Sequence, residues 1–304
     1  MSSTANNPDK GLFSYLNQIN PIARFGSVTE TTIDKDHIPV RHTNQPSSHQ
    51  QSIKILSWNI AKNNHDKGWT REFLAIVEQY QPDKIFLQEV RLCAERPSIP
   101  ELAEMGWSFA PNFIDTLSNA YSGVLIATRA DRLHSQSIIT DHTEPITNTP
   151  KVSLFAEYSL KNDAIEDAKN LLAVNTHLIN FVDLSKFSAQ LQALENVLAQ
   201  HTGAIIFSGD FNTWNHARWE MLSQMTTRIG LTPVAFTAED TQKIKSFLRS
   251  PPLDYIFYRG FRQKPLSATV IDTITSSDHN PLLVELCHPP SSTTPPEPHT
   301  LHKP

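Results

Sequence analysis

Asn59, Glu89, His177 and Asp210 each stand where an apolar run of the sequence stops, and Asn212 follows two residues after the last of them. Polar and ionisable groups are costly inside a core. Set repeatedly at the ends of buried strands, they converge on one rim. Nearer the C-terminus come Leu253-Asp254-Tyr255 and Ser276-Ser277-Asp278-His279-Asn280-Pro281. A carboxylate beside a histidine suits general-base work or the stabilisation of developing charge. A second carboxylate, here Asp254, fixes the imidazole tautomer. Taken singly, each position has a plainer explanation. Asn212 or Thr213 suits the cap of the helix that follows, and Asp278 to Pro281 suits a polar turn before a strand. Their number and shared setting favour a site.

The elements that must hold these residues follow from periodicity. Residues 53–59 (I-K-I-L-S-W-N) alternate and are rich in β-branched and large apolar side chains, as a strand requires. Residues 69–80 have helical spacing through Phe73, Ile76 and Val77, and Pro82 stops the helix. Residues 84–89 (K-I-F-L-Q-E) and 204–210 (A-I-I-F-S-G-D) predict short buried strands, and 122–128, 152–160, 171–177, 255–258, 267–274 and 282–286 predict further ones. Residues 184–201, through Leu191, Leu194, Val197 and Leu198, and residues 218–229 predict helices. About ten strands with three or four helices are too many strands for a doubly wound parallel sheet. Several consecutive strands leave no room for a crossover helix and should pair antiparallel. Two mixed sheets packed face to face, with helices outside, satisfy both conditions.

Composition bounds the rest. The 304 residues, 39% of them hydrophobic, suffice for one large domain over 52–287. Residues 1–51 read as an N-terminal extension ending in a polar linker from about residue 33. Leu12, Phe13, Leu16 and Ile19 sit at helical spacing within it, as a short docked helix or a surface for a partner or membrane would. Residues 288–304 are Pro-, Ser- and Thr-rich and predict a disordered tail. A net charge of −5 argues against coating nucleic acid by bulk charge. Cys93 and Cys287 predict two reduced thiols rather than a disulfide scaffold. No apolar run approaches the roughly 20 residues of a membrane span, and no secretory leader is recognisable. The expectation is a soluble, cytoplasmic monomer.

In order along the chain, W-N-I at 58–60, L-Q-E-V at 87–90, N-T-H-L at 175–178, G-D-F-N at 209–212, L-D-Y at 253–255 and S-D-H-N-P at 277–281 resemble the motifs of the endonuclease/exonuclease/phosphatase superfamily, whose best-known member is the pancreatic-type deoxyribonuclease. The resemblance covers 53–286. H-L-I-N-F at 177–181, G-D-F-N-T-W at 209–214 and F-Y-R-G at 257–260 are similar to a bacterial YafD-like branch. The resemblance implies a four-layer α/β-sandwich, two packed mixed β-sheets flanked by helices, and a Mg²⁺-dependent (or Mn²⁺-dependent) hydrolase of phosphate esters. It implies that Glu89 is the principal metal-binding glutamate, that Asn59 supports the metal or the scissile phosphate, and that Asp278 is a second metal-side carboxylate. Asp210 then activates water or handles the leaving-group proton, and Asn212 orients the phosphate. His279 contacts phosphoryl oxygens or serves as base with Asp254 as its orienting partner, and His177 is a hydrogen-bond donor to phosphate or a proton donor. Asp210 and His279 both suit the base. Mg²⁺ prefers oxygen ligands of this kind, and no Cys/His cluster has structural-zinc spacing.

G-D-F-N and S-D-H-N-P sit nearer the superfamily's nuclease pattern than its inositol-phosphatase pattern, so a nuclease-type phosphodiesterase with a nucleic-acid substrate leads. A phosphomonoesterase, a lipid or inositol phosphate phosphodiesterase and a non-catalytic binding module are the alternatives. Asn180, Trp214, Arg218 and Arg259 are candidate substrate contacts, from an aromatic and basic wall after G-D-F-N and a basic residue after a strand. For Arg218 the alternative is a helix start over the core, and for Arg259 and Lys151 a surface position.

Overall fold

The computed structural model describes residues 40–41 and 52–289, except 96, 131, 146, 161–169 and 249. The apolar repeat at 12–19 and the tail beyond 289 lie outside the described residues. In chain order the elements are β1 (Val40–Arg41), β2 (Ser52–Asn59), α1 (Lys67–Tyr80), β3 (Lys84–Cys93), a 3₁₀ turn (Pro100–Leu102), β4 (Gly106–Asp115), β5 (Ala120–Thr128), β6 (Arg132–Thr143), β7 (Pro150–Tyr158), β8 (Leu171–His177), α2 (Leu184–Leu198), β9 (Ala204–Asp210), α3 (His216–Arg228), β10 (Thr232–Pro233), α4 (Ala238–Lys243), β11 (Asp254–Arg259), β12 (Arg262–Gln263), β13 (Thr269–Val270) and β14 (Leu282–Cys287). One sheet runs β1-β4-β5-β3-β2-β14-β12, with β13 also on β14. The other runs β10-β11-β9-β8-β7-β6.

Three apolar clusters make four layers. Ile53, Ile55, Phe86, Leu154, Ala173, Ile206 and Val284 fill the space between the sheets. Leu56, Trp58, Ile85 and Leu87 face outward onto Trp69 and Phe73 of α1. Leu172, Val174, Ile205 and Phe207 face outward onto Phe187 and Leu191 of α2 and Leu222 of α3. Each central strand is therefore apolar on both faces, which is why these runs read as continuous. The chain is an α/β-sandwich of two mixed sheets, as the motifs implied.

Side chains alternate along a strand, and the inner-face set changes character toward one end. It reads Ile53, Ile55, Ser57, Asn59 along β2 and Leu171, Ala173, Asn175, His177 along β8. Along β9 it reads Ala204, Ile206, Ser208, Asp210. The polar members are all buried. A buried amide pair joins the sheets just beneath that end. Gln88 Nε2 donates to Asn175 Oδ1 at 2.7 Å, and Asn175 Nδ2 donates to the carbonyls of Leu87 and Leu125 at 2.9 and 2.8 Å.

Several elements depart from the sequence expectation. β4 and β6 were not predicted. β4 carries Pro111 and a register shift between Pro111 and Phe113, and β6 is an edge strand, mostly polar, with two shifts of its own. Bulged and edge strands lack clean alternation. The strand expected over 267–274 shrinks to β13. The helix expected from residue 218 begins at His216, with Asn215 Oδ1 accepting from Arg218 N at 2.9 Å. Asn212 and Thr213 are thus not its cap. Cys93 and Cys287 are free thiols, and no described helix is long and apolar enough to cross a membrane.

At the start of β3, Lys84 is 3% exposed. Its Nζ donates to Thr128 Oγ1 at 3.1 Å and lies 3.7 Å from the Tyr158 ring centroid. Burial pushes this amine down to about 7, and the Asp83 charge recovers only part of the loss. Between about pH 7 and 10.5 the unfolded chain holds a proton that the folded chain lacks, so stability rises with pH across that window and is flat below it. Chemical denaturation of Lys84→Met should show that slope, which approaches ~1.4 kcal/mol per pH unit, removed relative to the parent. An unchanged slope would show the ammonium to be fully satisfied.

Candidate active site

Strand register brings the polar ends together. β8 and β9 are parallel with His177 beside Asp210, and β9 and β11 are antiparallel with Asp254 beside Asp210. β2 lies in the other sheet and presents Asn59 across the gap. Asn59 Nδ2 donates to Asp210 Oδ2 at 3.0 Å, and Asn212 N donates to Asp210 Oδ1 at 3.0 Å. His177 Nε2 stands 3.5 Å and His279 Nε2 3.9 Å from Asp210 Oδ2. Asp210 is thus the hub of the cluster, 2% exposed.

His279 arrives on a loop that several residues hold. Its Nδ1 donates to Asp254 Oδ2 at 2.7 Å, which leaves Nε2 facing Asp210. Trp58 Nε1 donates to the His279 carbonyl at 2.7 Å, and Ser277 Oγ donates to the Asn59 carbonyl at 2.6 Å. Glu72 of α1 accepts from the backbone and hydroxyl of both Thr275 and Ser276. Burial opposes protonation of His279, but the charge and hydrogen bond of Asp254 outweigh it and raise its pKa. Burial, with Asp254 adding and His279 opposing, raises the Asp210 carboxyl. Burial, then the Lys151 charge, pushes His177 well down, so it stays neutral.

Glu89 reaches the cluster through a bulge. The β3–β5 register shifts between Leu87 and Val90, and Glu89 adopts φ 55°. The bulge turns its carboxylate into a cleft of about 370 Å³, where Asn59, His177, Asp210 and His279 also lie. Burial alone would raise this carboxyl. Lys62, His177, Lys151 and His279 outweigh burial and hold it at about 2. Left-handed backbone recurs around the cleft, at Ala61, Lys62, Phe181 and Asn212. Strain of this kind collects where surrounding structure over-determines a functional geometry.

The sequence profile described as the Endonuclease/Exonuclease/phosphatase family matches residues 56–279. The chain belongs to this family. The UPF0294 protein VP2298 of Vibrio parahaemolyticus is 32% identical over 235 residues, 76% of each chain. The human Nocturnin catalytic domain with bound sulfate has TM-score 0.58 at 19% identity, covering 83% of this chain and 98% of that one. D. rerio TDP2 complexed with single strand DNA product has TM-score 0.51 at 17% identity, covering 78% and 99%. At these identities the two structures speak for the fold.

Of the family motif residues, Asn59, Glu89, His177, Asp210, Asn212, Asp278 and His279 line the cleft, as does Asn180, and Asp254 backs it. Three candidates from the sequence do not come to it. Arg218 is fully buried, donates to the carbonyls of Ile179, Asn212 and Val182, and lies 4.4 Å from the Phe187 ring centroid. It ties α3 to the two loops after β8 and β9 and does not line the cleft. Trp214 lies beside that guanidinium, 4.9 Å from ring centroid to Arg218 Cζ. Arg259 ends β11 far from the cleft, donating to the carbonyls of Ile229, His201 and Gly203. A guanidinium absorbed by carbonyls looks, in sequence, like any surface arginine. Sequence reasoning missed Lys62, Phe113, Glu144, Lys245 and Phe247, which line the cleft from loops and a bulged strand.

Two sets of side chains could hold a cation. Asp210, Asp254 and His279 offer atoms within 4.8 Å of one another. There, however, a metal would have to replace a proton on His279, whose protonated form the charges of Asp254 and Asp210 favour. Glu89 fits better, because its carboxylate is ionised, faces the cleft and takes no hydrogen bond among the described residues, the one from Lys62 N going to its backbone carbonyl. Asn59 Oδ1 accepts one bond, from Ala61 N at 3.1 Å, and keeps a lone pair free.

Proposed function

We propose that this chain is a divalent-metal-dependent phosphodiesterase of the nuclease type, with a nucleic-acid strand as substrate. The observation that carries the proposal is the convergence on Asp210 of Asn59, the Asn212 amide, His177 and the Asp254-held His279. Glu89 and Asn59 would hold Mg²⁺, which neutralises charge on the phosphoryl group when bound. Asp210 takes a proton from a water that attacks phosphorus, and its raised pKa makes it the stronger base for that step. A new P–O bond forms opposite the ester bond that breaks, and the departing ester oxygen takes its proton from solvent water at the open side of the cleft, so that one water is added across the bond. His279, kept protonated, donates to a non-bridging oxygen through Nε2, while neutral His177 donates to another. Nucleic acid is favoured by the G-D-F-N and S-D-H-N-P patterns and by the DNA product on TDP2, while the sulfate on Nocturnin, a tetrahedral oxyanion, agrees with a phosphate ester of any class.

The test sets single-stranded oligonucleotide, plasmid DNA, inositol phosphates and phospholipid side by side, each with Mg²⁺ and with EDTA. Metal-dependent cleavage of the nucleic acids alone is expected. Turnover confined to inositol phosphate or lipid would replace the substrate class, and no turnover of any would favour a binding module. Glu89→Gln should weaken Mn²⁺ binding by roughly tenfold or more, judged from what lost coordination-shell partners usually cost. Calorimetric titration reads this, and unchanged affinity would move the cation to the Asp210–Asp254–His279 set.

A further inference from the structure

We infer that Lys245 and Asp278 together form a built-in cationic contact for the substrate phosphate, so that the cleft takes one divalent ion and not two. The inference rests on the proposed phosphodiesterase reading. Asp278, expected from its motif to be a second metal-side carboxylate, has Oδ2 3.0 Å from Lys245 Nζ. Both residues line the same cleft as Glu89 and His279.

Lys245 is not an ordinary mobile surface lysine. Its side chain is 18% exposed, and its ammonium lies 5.8 Å from the Phe247 ring centroid. The segment is pinned at both ends. Leu253 N donates to the Lys245 carbonyl at 2.8 Å, and Asn280 Nδ2 donates to the Lys243 carbonyl at 2.8 Å. The second bond comes from the residue after His279, so the lysine loop and the histidine loop are fastened to each other.

A cation bound at Asp278 would stand roughly 2 Å from one oxygen of the carboxylate whose Oδ2 already contacts the ammonium. Two positive centres would then share one half-exposed carboxylate, and the like-charge repulsion favours whichever is covalently anchored. The ammonium has three donors. With one on Asp278, the others are free to meet a phosphoryl oxygen beside His279. Asp278 is then the lysine's counter-ion, and the second metal's electrostatic role passes to a side chain that needs no cofactor.

Mn²⁺ binding to the full chain, followed by the resonance signal of free Mn²⁺, separates the cases. The parent should bind one Mn²⁺ per chain, and Asp278→Asn should bind it within threefold of the parent affinity. Lys245→Met should uncover a second, weaker site that disappears in the Lys245→Met/Asp278→Asn double variant. Two ions on the parent, a tenfold loss in Asp278→Asn, or no second site in Lys245→Met would overturn the inference and leave the proposed function standing. No Mn²⁺ on the parent at all would sink the metal-dependent reading and this inference with it.

Discussion

Asp210→Asn should lower kcat on a phosphodiester by roughly 10³-fold, within the range that removal of a general base costs, while KM moves only a fewfold. The substitution keeps the volume of the side chain and removes its capacity to hold a proton. It also sets an amide N–H₂ against Asn59 Nδ2 or the Asn212 amide, each of which now donates to a carboxylate oxygen. Thermal unfolding measured alongside separates the two effects. A midpoint near that of the parent with a collapsed rate assigns the loss to proton transfer. A rate within threefold of the parent would pass the base role to His279, whose Nε2 is 3.9 Å away.

The second large effect is structural. Gly209 sits at φ 150°, and a Cβ there would come 1.9 Å from the Thr176 carbonyl oxygen and 2.8 Å from its carbon. Those are backbone atoms of the neighbouring parallel strand and cannot rotate away. Gly209→Ala must therefore push β8 from β9 at the register pair that aligns His177 with Asp210. A loss of roughly 3 kcal/mol or more is expected, above the ordinary range for overpacking, with accumulation in the insoluble fraction. Gly230→Ala is the control. Its φ of 71° is also unfavourable, but its nearest contact is a flexible Arg259 carbon at 3.8 Å. It should cost about 1 to 2 kcal/mol. Equal behaviour of the two variants would remove the packing argument.

What was legible in the sequence follows from burial. Asn59, His177 and Asp210 could be found because each ends a period-2 inner face that starts apolar and turns polar in its last two members, so the polar ending stands out. Glu89 was found as a strand end, yet the strand continues to Cys93, and a bulge is what turns the carboxylate into the cleft. Lys62 and Lys245 were not legible, since loop residues have no periodicity and only tertiary packing brings their charges inward. Arg218 and Arg259 misled for the converse reason, because nothing in the sequence says that backbone carbonyls will surround them. β6 was missed because an edge strand with one wet face has little apolar patterning to detect.

The buried Gln88–Asn175 amide pair has a consequence for how this protein fails. It ties the two sheets to each other directly beneath the cluster around Asp210, through central strands of both. Such strands open only when the whole structure opens. The backbone amides of residues 175 to 177 and 208 to 210 should therefore be among the last to exchange with deuterium, at a free energy equal to that of complete unfolding. Heat should then leave no stage at which the protein is folded but inactive, and enzymatic half-life at high temperature should report the unfolding rate itself.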